Sequence, residues 1–377
     1  MDWNLSEEQT QVRDLGRQIL TDMVTNDSLK DHHAGKADLS GPVWKALADA
    51  NLLGVAIPEQ YGGVGMDFLT LALLAIEEGR TTAPLAIWPT LIEAGMTILA
   101  HGTDAQKEAW LPAIAEGRAL LTAALTELGS DDPMRPLTTA KADGDVFVLD
   151  GEKFQVEGAE QAACILVPAS TDDGRVGVFL LDPASDGVST TPLQTSAGGP
   201  HASLRLEGVR VPATALLGAL DADGSVLRTL REYAIAGLCA LQLGVTERAL
   251  EMTAEYSRDR VQFDRPIGSF QAVHQRAADA FIQTEGLRLA TLEACWRLSE
   301  GLDASEQVRV AKFWAAEGGQ FTSYACQHLH GGIGIDVDYP LHRYFEWAIQ
   351  IEHTLGSAHA VLAEMGAQIA EHGLSEF

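Results

Sequence analysis

The chain has 377 residues, of which 46% are hydrophobic, and its formal net charge is −27. This length suits two or three packed units rather than one small core. The negative charge argues against nucleic acid and against anionic membrane surfaces as partners, because both repel it.

Residues 1–120 are predicted to form an N-terminal helical domain. The sequence Ser6-Glu7-Glu8 is typical of a first helical turn, with acidic residues near the positive end of the helix dipole. A glycine-rich break at 58–65 precedes a helix expected over 68–80. A further helix is expected from Leu91 to Gly102.

Residues 121–220 are predicted to form a middle β domain. Short runs of alternating apolar residues occur at 145–151, 163–168, 176–182 and 203–212. Polar turns that contain glycine separate these runs. The pattern indicates antiparallel strands with short connections.

Residues 221–377 are predicted to form a C-terminal four-helix bundle. Two sets of apolar residues keep the 3.6-residue helical period. They are Leu241, Val245, Ala249, Met252 and Tyr256, then Ala278, Ile282, Leu289, Leu292 and Trp296. A third helix is expected over about 304–328 and a fourth after Pro340. The three regions together predict an α+β protein.

The cysteines and histidines indicate neither a disulfide framework nor a metal site. No Cys-x-x-Cys pair occurs, and the spacing of His328, His330 and His342 does not suit a metal. We therefore expect reduced, buried thiols and a cytoplasmic protein. The first eight residues lack the basic start and apolar core of a signal peptide. No apolar run is long enough to cross a bilayer.

Five segments carry motifs in one order along the chain. They lie at 52–80, 125–132, 151–162, 256–279 and 326–344. In this order they resemble the acyl-CoA dehydrogenases over nearly the whole chain. The resemblance implies an FAD cofactor and an acyl-CoA substrate. In that reaction a carboxylate removes the α-proton while a hydride passes from the β-carbon to the flavin.

Two of these segments resemble those that contact the FAD held by an adjacent subunit. Arginine suits this task because its guanidinium makes charge-assisted hydrogen bonds to phosphate. The resemblance implies cofactor-binding roles, without any catalytic role, for Arg260, Gln262, Phe263, Gln271, His328, Gly331 and Gly332. Asp264 replaces a usual glycine. His328 stands where the family has glutamine, and Gln327 lies one residue earlier.

The segments that resemble the family's own flavin bed depart from its pattern. The first is shorter by two residues, although it keeps Thr126, Glu127, Gly129, Ser130 and Asp131. In the second, Gln155 replaces an aromatic residue that covers the flavin, and Glu157 replaces a hydroxyl residue that bonds its N5 edge. A carboxylate there would disfavour the negatively charged reduced ring.

The position of the family's catalytic base is filled by a leucine. Counting from Tyr339-Pro340 places Leu355 in that position, and Ala234 fills an alternative position used by some members. Neither side chain can accept a proton. Glu352 and Glu232 lie three and two residues before these positions. On a helix such offsets turn the side chain off the required face.

These observations predict the partner subunit of a heteromeric acyl-CoA dehydrogenase. It would lack the catalytic glutamate and contribute contacts to FAD at the interface with a homologous catalytic subunit, in an α2β2 assembly. The chain resembles bacterial members that pair two unlike subunits and shorten steroid side chains. This resemblance implies steroid side-chain CoA esters as substrates and electron-transfer flavoprotein as the acceptor. Two alternatives stay open. One is a homomeric enzyme with Glu352 or Glu232 as base, and the other is a non-redox acyl-CoA-binding or scaffolding paralogue.

Overall fold

The computed structural model of the protein describes residues 4–130 and 132–373. Its first helix is capped by Ser6. The Ser6 hydroxyl accepts a hydrogen bond from the Gln9 amide, and the Gln9 side chain accepts one from the Ser6 amide. This reciprocal pair satisfies two amides that a helix start leaves without intrahelical partners. The predicted helix start is confirmed.

Helices dominate the N-terminal part of the chain. They are α1 Glu7–Met23, α2 Asn26–His33, α3 Ser40–Asp49, α4 Phe68–Thr81, α5 Thr97–His101 and α6 Asp104–Ala115, with a π-helical segment at Ile87–Met96. The helix predicted over 68–80 is α4. Leu91, the predicted start of the next helix, lies inside the π-helical segment, which begins at Ile87. Its i→i+5 hydrogen bonds depart from the 3.6-residue period on which that prediction relied.

The glycine-rich break at 58–65 forms a loop with internal hydrogen bonds. The Val64 amide donates to the Gly54 carbonyl at 2.9 Å and the Gly65 amide to the Ile57 carbonyl at 2.8 Å. A Cβ atom on Gly63 would lie 2.0 Å from the Ile57 carbonyl oxygen. This close backbone approach requires glycine at that position.

The middle region forms one twisted sheet. Its strands are β1 Leu121–Ala123, β2 Thr139–Asp143, β3 Val146–Glu157, β4 Cys164–Ser170, β5 Val176–Leu181, β6 Val188–Leu193, β7 His201–Pro212 and β8 Leu216–Asp221. The order across the sheet is β6-β7-β3-β2-β4-β5-β8, and β1 pairs with β4. The four predicted runs correspond to β3, β4, β5 and β7.

At β4 the sheet differs from the predicted antiparallel arrangement with short connections. Both β1 and β2 pair with β4 in parallel. A parallel pair needs a long connection, and residues 124–163 supply one between β1 and β4. The edge strand β6 escaped prediction because its exposed residues and Pro192 give no clear apolar alternation.

The C-terminal region is helical, as predicted. Its elements are α7 Ser225–Asp259, a small hairpin of β9 Val261–Gln262 and β10 Arg265–Pro266, α8 Gln271–Ser299, α9 Ser305–His330, α10 Leu341–His353 and α11 Ala358–His372. The first four helices match the predicted bundle. The fifth, α11, lies beyond the four that the sequence pattern identified.

The apolar stripe predicted on α8 is not its covered face. Ile282 is 61% exposed and Leu289 is 50% exposed. The covered face consists of smaller residues, which are Ala280, Thr284, Leu287, Thr291, Ala294 and Cys295. A Cβ atom on Gly286 would lie 2.8 Å from the Trp314 ring of α9. Such a close approach favours small side chains on the covered face.

The described residues divide into two compact units. The first holds the described residues up to Val43, Phe68–Ala83 and those from Ile235 onward; the second holds Trp44–Asp67 and Pro84–Ala234. The first unit contains the C-terminal helices, and the second contains the sheet. The boundaries predicted for three domains, at 120 and 220, remain a prediction.

Within the first unit, α4 and α7 cross with their backbones in contact. A Cβ atom on Gly244 would lie 1.9 Å from the Ile76 carbonyl oxygen, and one on Gly79 would lie 2.1 Å from that of Leu241. Gly244→Ala should therefore lower the free energy of unfolding by about 1–3 kcal/mol, since rigid backbone cannot yield. Chemical denaturation measures this change.

The matched control for this substitution is Gly366→Ala on α11, where an added Cβ meets nothing within 4 Å. It should leave stability unchanged or raise it by up to about 1 kcal/mol, because alanine favours helix. Equal effects of the two substitutions would contradict the packing argument.

Candidate functional site

An exposed hairpin follows the end of α7. Phe263 and Asp264 have φ angles of 53° and 61°, and they link β9 to β10. Two successive positive φ angles are typical of a tight hairpin turn. Asp264 tolerates this conformation better than most residues, which explains how it replaces a glycine. Phe263 is 87% exposed as a result.

The predicted cofactor residues of this hairpin share one exposed region of the first unit. Arg260, Gln262 and Gln271 are all exposed. The hairpin is held in place by Phe270, whose ring lies 4.1 Å from the Arg265 guanidinium and 6.2 Å from the Phe263 ring. The structure therefore presents polar and aromatic groups to solvent on a fixed turn.

The second predicted cofactor segment is the turn after α9. Gly331 ends that helix with a φ of 63°, and added Cβ atoms on Gly331 and Gly332 would meet nothing within 4 Å. His328 is exposed beside them. The turn leaves open space at its glycines, so another molecule can approach the backbone closely.

An aromatic cluster connects these two segments. The rings of Tyr256, near the end of α7, and His330, at the end of α9, stack with centroids 4.5 Å apart. His330 Nε2 is hydrogen-bonded to the Tyr339 hydroxyl at 3.0 Å, and its Nδ1 to the Cys326 carbonyl at 2.9 Å. Burial lowers the pKa of His330. The packed rings place the hairpin and the glycine turn near each other.

Gln327 belongs to the glycine turn, although the sequence assignment used His328. A Cβ atom on Gly334 would lie 2.8 Å from the Gln327 amide nitrogen. Gln327 Oε1 is buried and has no hydrogen-bond partner within residues 4–130 and 132–373. An unsatisfied acceptor of this kind suits a donor on a bound group. The glutamine one residue out of register was the available sequence signal.

Leu355 lies in a turn, not on a helix. The helix α10 ends at His353, Leu355 has a φ of 56°, and Ser357 caps α11. The helical-offset argument that compared Glu352 with Leu355 was therefore wrong in its premise. The backbone reverses between the two residues, and their relative directions depend on the turn.

The Glu352 carboxylate is directed toward α9. It accepts a hydrogen bond from Gln320 Nε2 at 2.8 Å and lies 3.9 Å from His353 Nε2. Lys312 of α9 donates to the Ile351 and Glu352 carbonyls at 2.7 and 3.2 Å. These bonds satisfy the carbonyl end of α10. Burial lowers the pKa of Lys312 to about 8.

The alternative base position is closed by packing in the second unit. Ala234 is fully buried on α7, and its carbonyl accepts a hydrogen bond from the Trp88 indole at 2.8 Å. Glu232 lies two residues earlier on the same helix and is half-buried. Burial raises the pKa of the neighbouring Tyr233 hydroxyl, and the Glu232 charge adds to this.

The end of β3 carries both replacements in the flavin-bed motif. Gln155 is exposed, with a φ of 53°, at an irregularity in the β3–β7 pairing. Glu157 Oε2 lies 3.8 Å from His201 Nε2. Burial raises the pKa of Glu157, and burial together with the Glu157 charge raises the pKa of Glu93 well above its ordinary value.

Glu127 and Lys153 form a buried ion pair in the second unit. Lys153 Nζ lies 2.7 Å from Glu127 Oε1 and donates to the Pro168 carbonyl at 2.7 Å. The Glu127 carboxylate also accepts hydrogen bonds from the Leu137 amide and from the Thr138 amide and hydroxyl. The pair ties the 125–138 loop to β3 and β4.

The neighbouring motif residues follow the same loop. The Thr126 carbonyl accepts the Phe154 amide at 2.8 Å, and Gly129 has a φ of 81°. The Ser130 hydroxyl donates to the Asp132 carbonyl at 3.1 Å. Asp131, also part of the motif, lies outside the described residues.

The remaining sequence predictions concern metals, membranes and thiols. Within the described ranges, no group of three or more His, Cys, Asp or Glu side chains could hold a metal ion. A search of the same residues found no helix with the length and apolar character needed to span a bilayer. All four cysteines are free and buried, as predicted.

Comparisons with known proteins match both ends of the chain. The model of the acyl-CoA dehydrogenase N-terminal domain matches residues 6–118, and that of the C-terminal domain matches 228–369. Acyl-CoA dehydrogenase FadE27 of Mycobacterium tuberculosis is 38% identical over 87% of this chain and 88% of its own length.

Two solved structures are similar over almost their full length. The structure titled "Tcur3481-Tcur3483 steroid ACAD G363A variant" has a TM-score of 0.91 and 40% identity, covering 98% of this chain and 99% of that one. The ChsE4-ChsE5 complex from Mycobacterium tuberculosis has a TM-score of 0.91 and 35% identity, with coverage of 98% and 99%.

The ion pair predicts a defined pH dependence of stability. Burial raises the pKa of Glu127, but the Lys153 charge and the hydrogen bonds outweigh it and hold the pKa below its ordinary value. The stability from this group is thus present above the unfolded-state pKa of about 4.3 and is lost as pH falls through the lower folded-state pKa.

We expect Glu127→Gln to cost about 3–5 kcal/mol at neutral pH, because it leaves a buried ammonium without its carboxylate. It should also flatten the loss of stability below about pH 4.3. Denaturant titrations across pH measure both effects. Glu116→Gln, which removes an exposed pairing with Arg118, is the control and should change neither. The assignment would be contradicted if Glu127→Gln lost stability below about pH 4.3 as steeply as the unmodified chain.

Proposed function

The chain belongs to the acyl-CoA dehydrogenase family, and we propose that it is the partner subunit of a heteromeric, FAD-dependent member. The observation that carries the proposal is the leucine at the position of the family's catalytic base. Leu355 occupies the turn between α10 and α11, and an aliphatic side chain can neither accept nor hold a proton. Ala234, in the alternative position, has the same limitation.

FAD, when bound, supplies the acceptor for the hydride that leaves the β-carbon of an acyl-CoA. The complementary task is removal of the α-proton by a positioned carboxylate. In this subunit the Leu355 turn contributes shape and apolar surface there. The base must therefore come from another chain, which we propose is a homologous catalytic subunit.

A homomeric enzyme that uses Glu352 is the second candidate. This carboxylate is buried, and it precedes Leu355 by three residues in the sequence. Its hydrogen bond to Gln320 argues against it. A general base needs a lone pair directed at the substrate carbon, whereas this carboxylate is engaged with α9. Glu232 as base has less support, because it lies on α7 beside the buried Ala234.

The carboxyl groups around β3 support the view that this chain does not hold a flavin of its own. Glu157 stands where the family has a hydroxyl, and the buried Glu93 lies close enough for the two charges to influence each other. Burial raises the pKa of both carboxyl groups, so this location penalises negative charge. A reduced flavin carries negative charge, and the same location would destabilise it.

We propose that the hairpin after α7 and the glycine turn after α9 contact FAD bound by the partner. Arg260 would pair with phosphate oxygens, and Gln262, Phe263 and Gln271 would line the same region. His328, Gly331 and Gly332 would contact the adenine end, and we propose the same for Gln327. The exposure of these residues, the open glycines and the unsatisfied Gln327 oxygen fit this role.

The assembly and substrate follow by similarity. The similar ChsE4-ChsE5 protein is a complex, and the similar Tcur3481-Tcur3483 protein is a steroid ACAD. We propose an α2β2 assembly that acts on steroid side-chain CoA esters, with electron-transfer flavoprotein as the acceptor. The free, buried cysteines favour a reducing compartment, so we propose a cytoplasmic location.

Expression with and without a partner tests this proposal. We expect the chain alone to be colourless, since it would not hold a flavin of its own, and inactive, since it lacks a base. With a homologous subunit that carries the family's carboxylate, flavin absorbance and dye reduction by acyl-CoA should both appear. Steroid-CoA and straight-chain acyl-CoA thioesters compared on that complex test the substrate class.

Each other result identifies an alternative. Yellow, active protein from the chain alone would support the homomeric enzyme, with Glu352→Gln as the next variant to examine. A protein that remains colourless and inert in both preparations would support the non-redox acyl-CoA-binding or scaffolding paralogue.

The Arg260 contact gives a separate prediction. Arg260→Ala should weaken FAD retention by the complex by about 10–100-fold, since a charge-assisted hydrogen bond contributes roughly 1.5–3 kcal/mol. Arg258→Ala removes a second exposed arginine from the same helix end and should leave retention unchanged. Flavin released on dilution or gel filtration measures the difference. Equal retention in both variants would refute the role of Arg260.

A further inference from the structure

The first unit contains a cavity of about 400 Å³ that no step of the proposed reaction uses. Residues from α1, α2, α4, α7 and α10 line it. Four of them are arginines: Arg17, Arg80, Arg248 and Arg343. Such a concentration of guanidinium groups is notable in a chain with a net charge of −27, and it favours a negatively charged ligand.

Three of these arginines have carboxylate partners. Arg17 makes a two-point hydrogen bond to Glu77, at 2.7 and 2.9 Å. Arg80 contacts Glu247 at 2.9 Å and Glu251 at 2.8 Å, and Arg248 contacts Glu251 at 3.1 Å. These pairs hold the side chains in fixed positions around the cavity. They leave the fourth arginine to be explained.

Arg343 is 3% exposed and lacks a carboxylate partner. Among residues 4–130 and 132–373, no acidic oxygen lies within 4.0 Å of its guanidinium. One Nη atom donates to the Asn26 side-chain oxygen, while Nε is buried without any hydrogen-bond partner in that part of the chain. Burial of an unpaired guanidinium is costly. The Glu346 charge acts on this guanidinium from beyond 4.0 Å, while the buried Nε remains available to an anion from outside the chain.

Thr82 supplies a second unsatisfied donor to the same cavity. Its hydroxyl is buried, the residue is 2% exposed, and the oxygen has no partner among the described residues. Its φ of 48° is unusual for a β-branched residue. Such strained positions often occur where a ligand is held. Two buried donors from α10 and from the end of α4 therefore line one cavity.

We propose that this cavity binds a phosphoryl group, with Arg343 and Thr82 as its buried donors. A guanidinium fork matches the oxygen spacing of phosphate, and a hydroxyl adds a third donor direction. Val24, Leu29 and Met252 line the remainder of the cavity, which exceeds the size of one phosphate. The ligand is either free phosphate or the phosphoryl end of a larger, partly apolar molecule. The inference does not depend on the proposed subunit role.

Thermal unfolding of the full chain in phosphate against chloride, at matched ionic strength and pH, tests the site. Inorganic phosphate at ten times its dissociation constant should raise Tm by about 2 °C. Phenyl phosphate is the second probe. Tighter binding of phenyl phosphate would identify the phosphoryl end of a larger ligand, and binding of inorganic phosphate alone would identify free phosphate. Equal Tm values in all three salts would overturn the proposal.

Two variants locate the ligand. Thr82→Val keeps the side-chain volume and should weaken phosphate affinity by about 5–10-fold, as expected for one lost hydrogen bond. Arg343→Lys keeps the charge but removes Nε, and it should weaken affinity by at least about tenfold. Arg205→Gln, which alters an exposed arginine on β7, should bind phosphate as the unmodified chain does.

Thr82→Val decides the result if Arg343→Lys fails to fold, since its substitution is isosteric. Isothermal titration of each folded variant gives the affinity directly. Undiminished phosphate binding by Thr82→Val and by any folded Arg343→Lys would overturn the assignment, because binding would then reside elsewhere on the chain.

Discussion

The buried pair of Glu127 and Lys153 sets the arrangement of the second unit. Two charges can remain inside the sheet because the chain itself supplies the hydrogen bonds they need, from Thr138, Leu137 and the Pro168 carbonyl. Desolvation would otherwise drive both groups out of the interior. The pair fixes the 125–138 loop against β3 and β4.

The same physical rule explains the other buried cations. Lys312 is accommodated because the carbonyl end of α10 accepts its hydrogen bonds, which also fixes the helix end just before Leu355. Arg343 departs from the rule, since among the described residues its guanidinium donates a side-chain hydrogen bond to Asn26 and its Nε donates none. Lys312 thus stabilises the end of a helix, whereas we propose that Arg343 binds an anion from outside the chain. Among residues 4–130 and 132–373, its Nε and the Thr82 hydroxyl are two unsatisfied buried donors at one cavity.

Much of the architecture could be predicted from local patterns. Capping residues, glycine turns and apolar periods indicated α1, α4 and four strands, because those signals act over a few residues. The covered face of α8 could not be predicted, because apolar residues recur with the helical period on two of its faces. Close packing against α9 selected the face with the smaller side chains. The parallel pairing of β4 depends on where a 40-residue connection returns the chain, which no local pattern encodes. The packing of Gln327 against Gly334 could not be predicted either, because it depends on how the turn after α9 folds back.

The sequence by itself determined that no proton acceptor stands at positions 355 and 234, because side-chain chemistry does not change on folding. It also determined the family's motif order and the acidic charge. Only the tertiary structure decided that Glu352 accepts a hydrogen bond from Gln320, that Leu355 occupies a turn, and that Arg343 is buried. The physical reason is distance along the chain: Arg343 and Asn26 are 317 residues apart. Burial and partnership arise only when such segments meet.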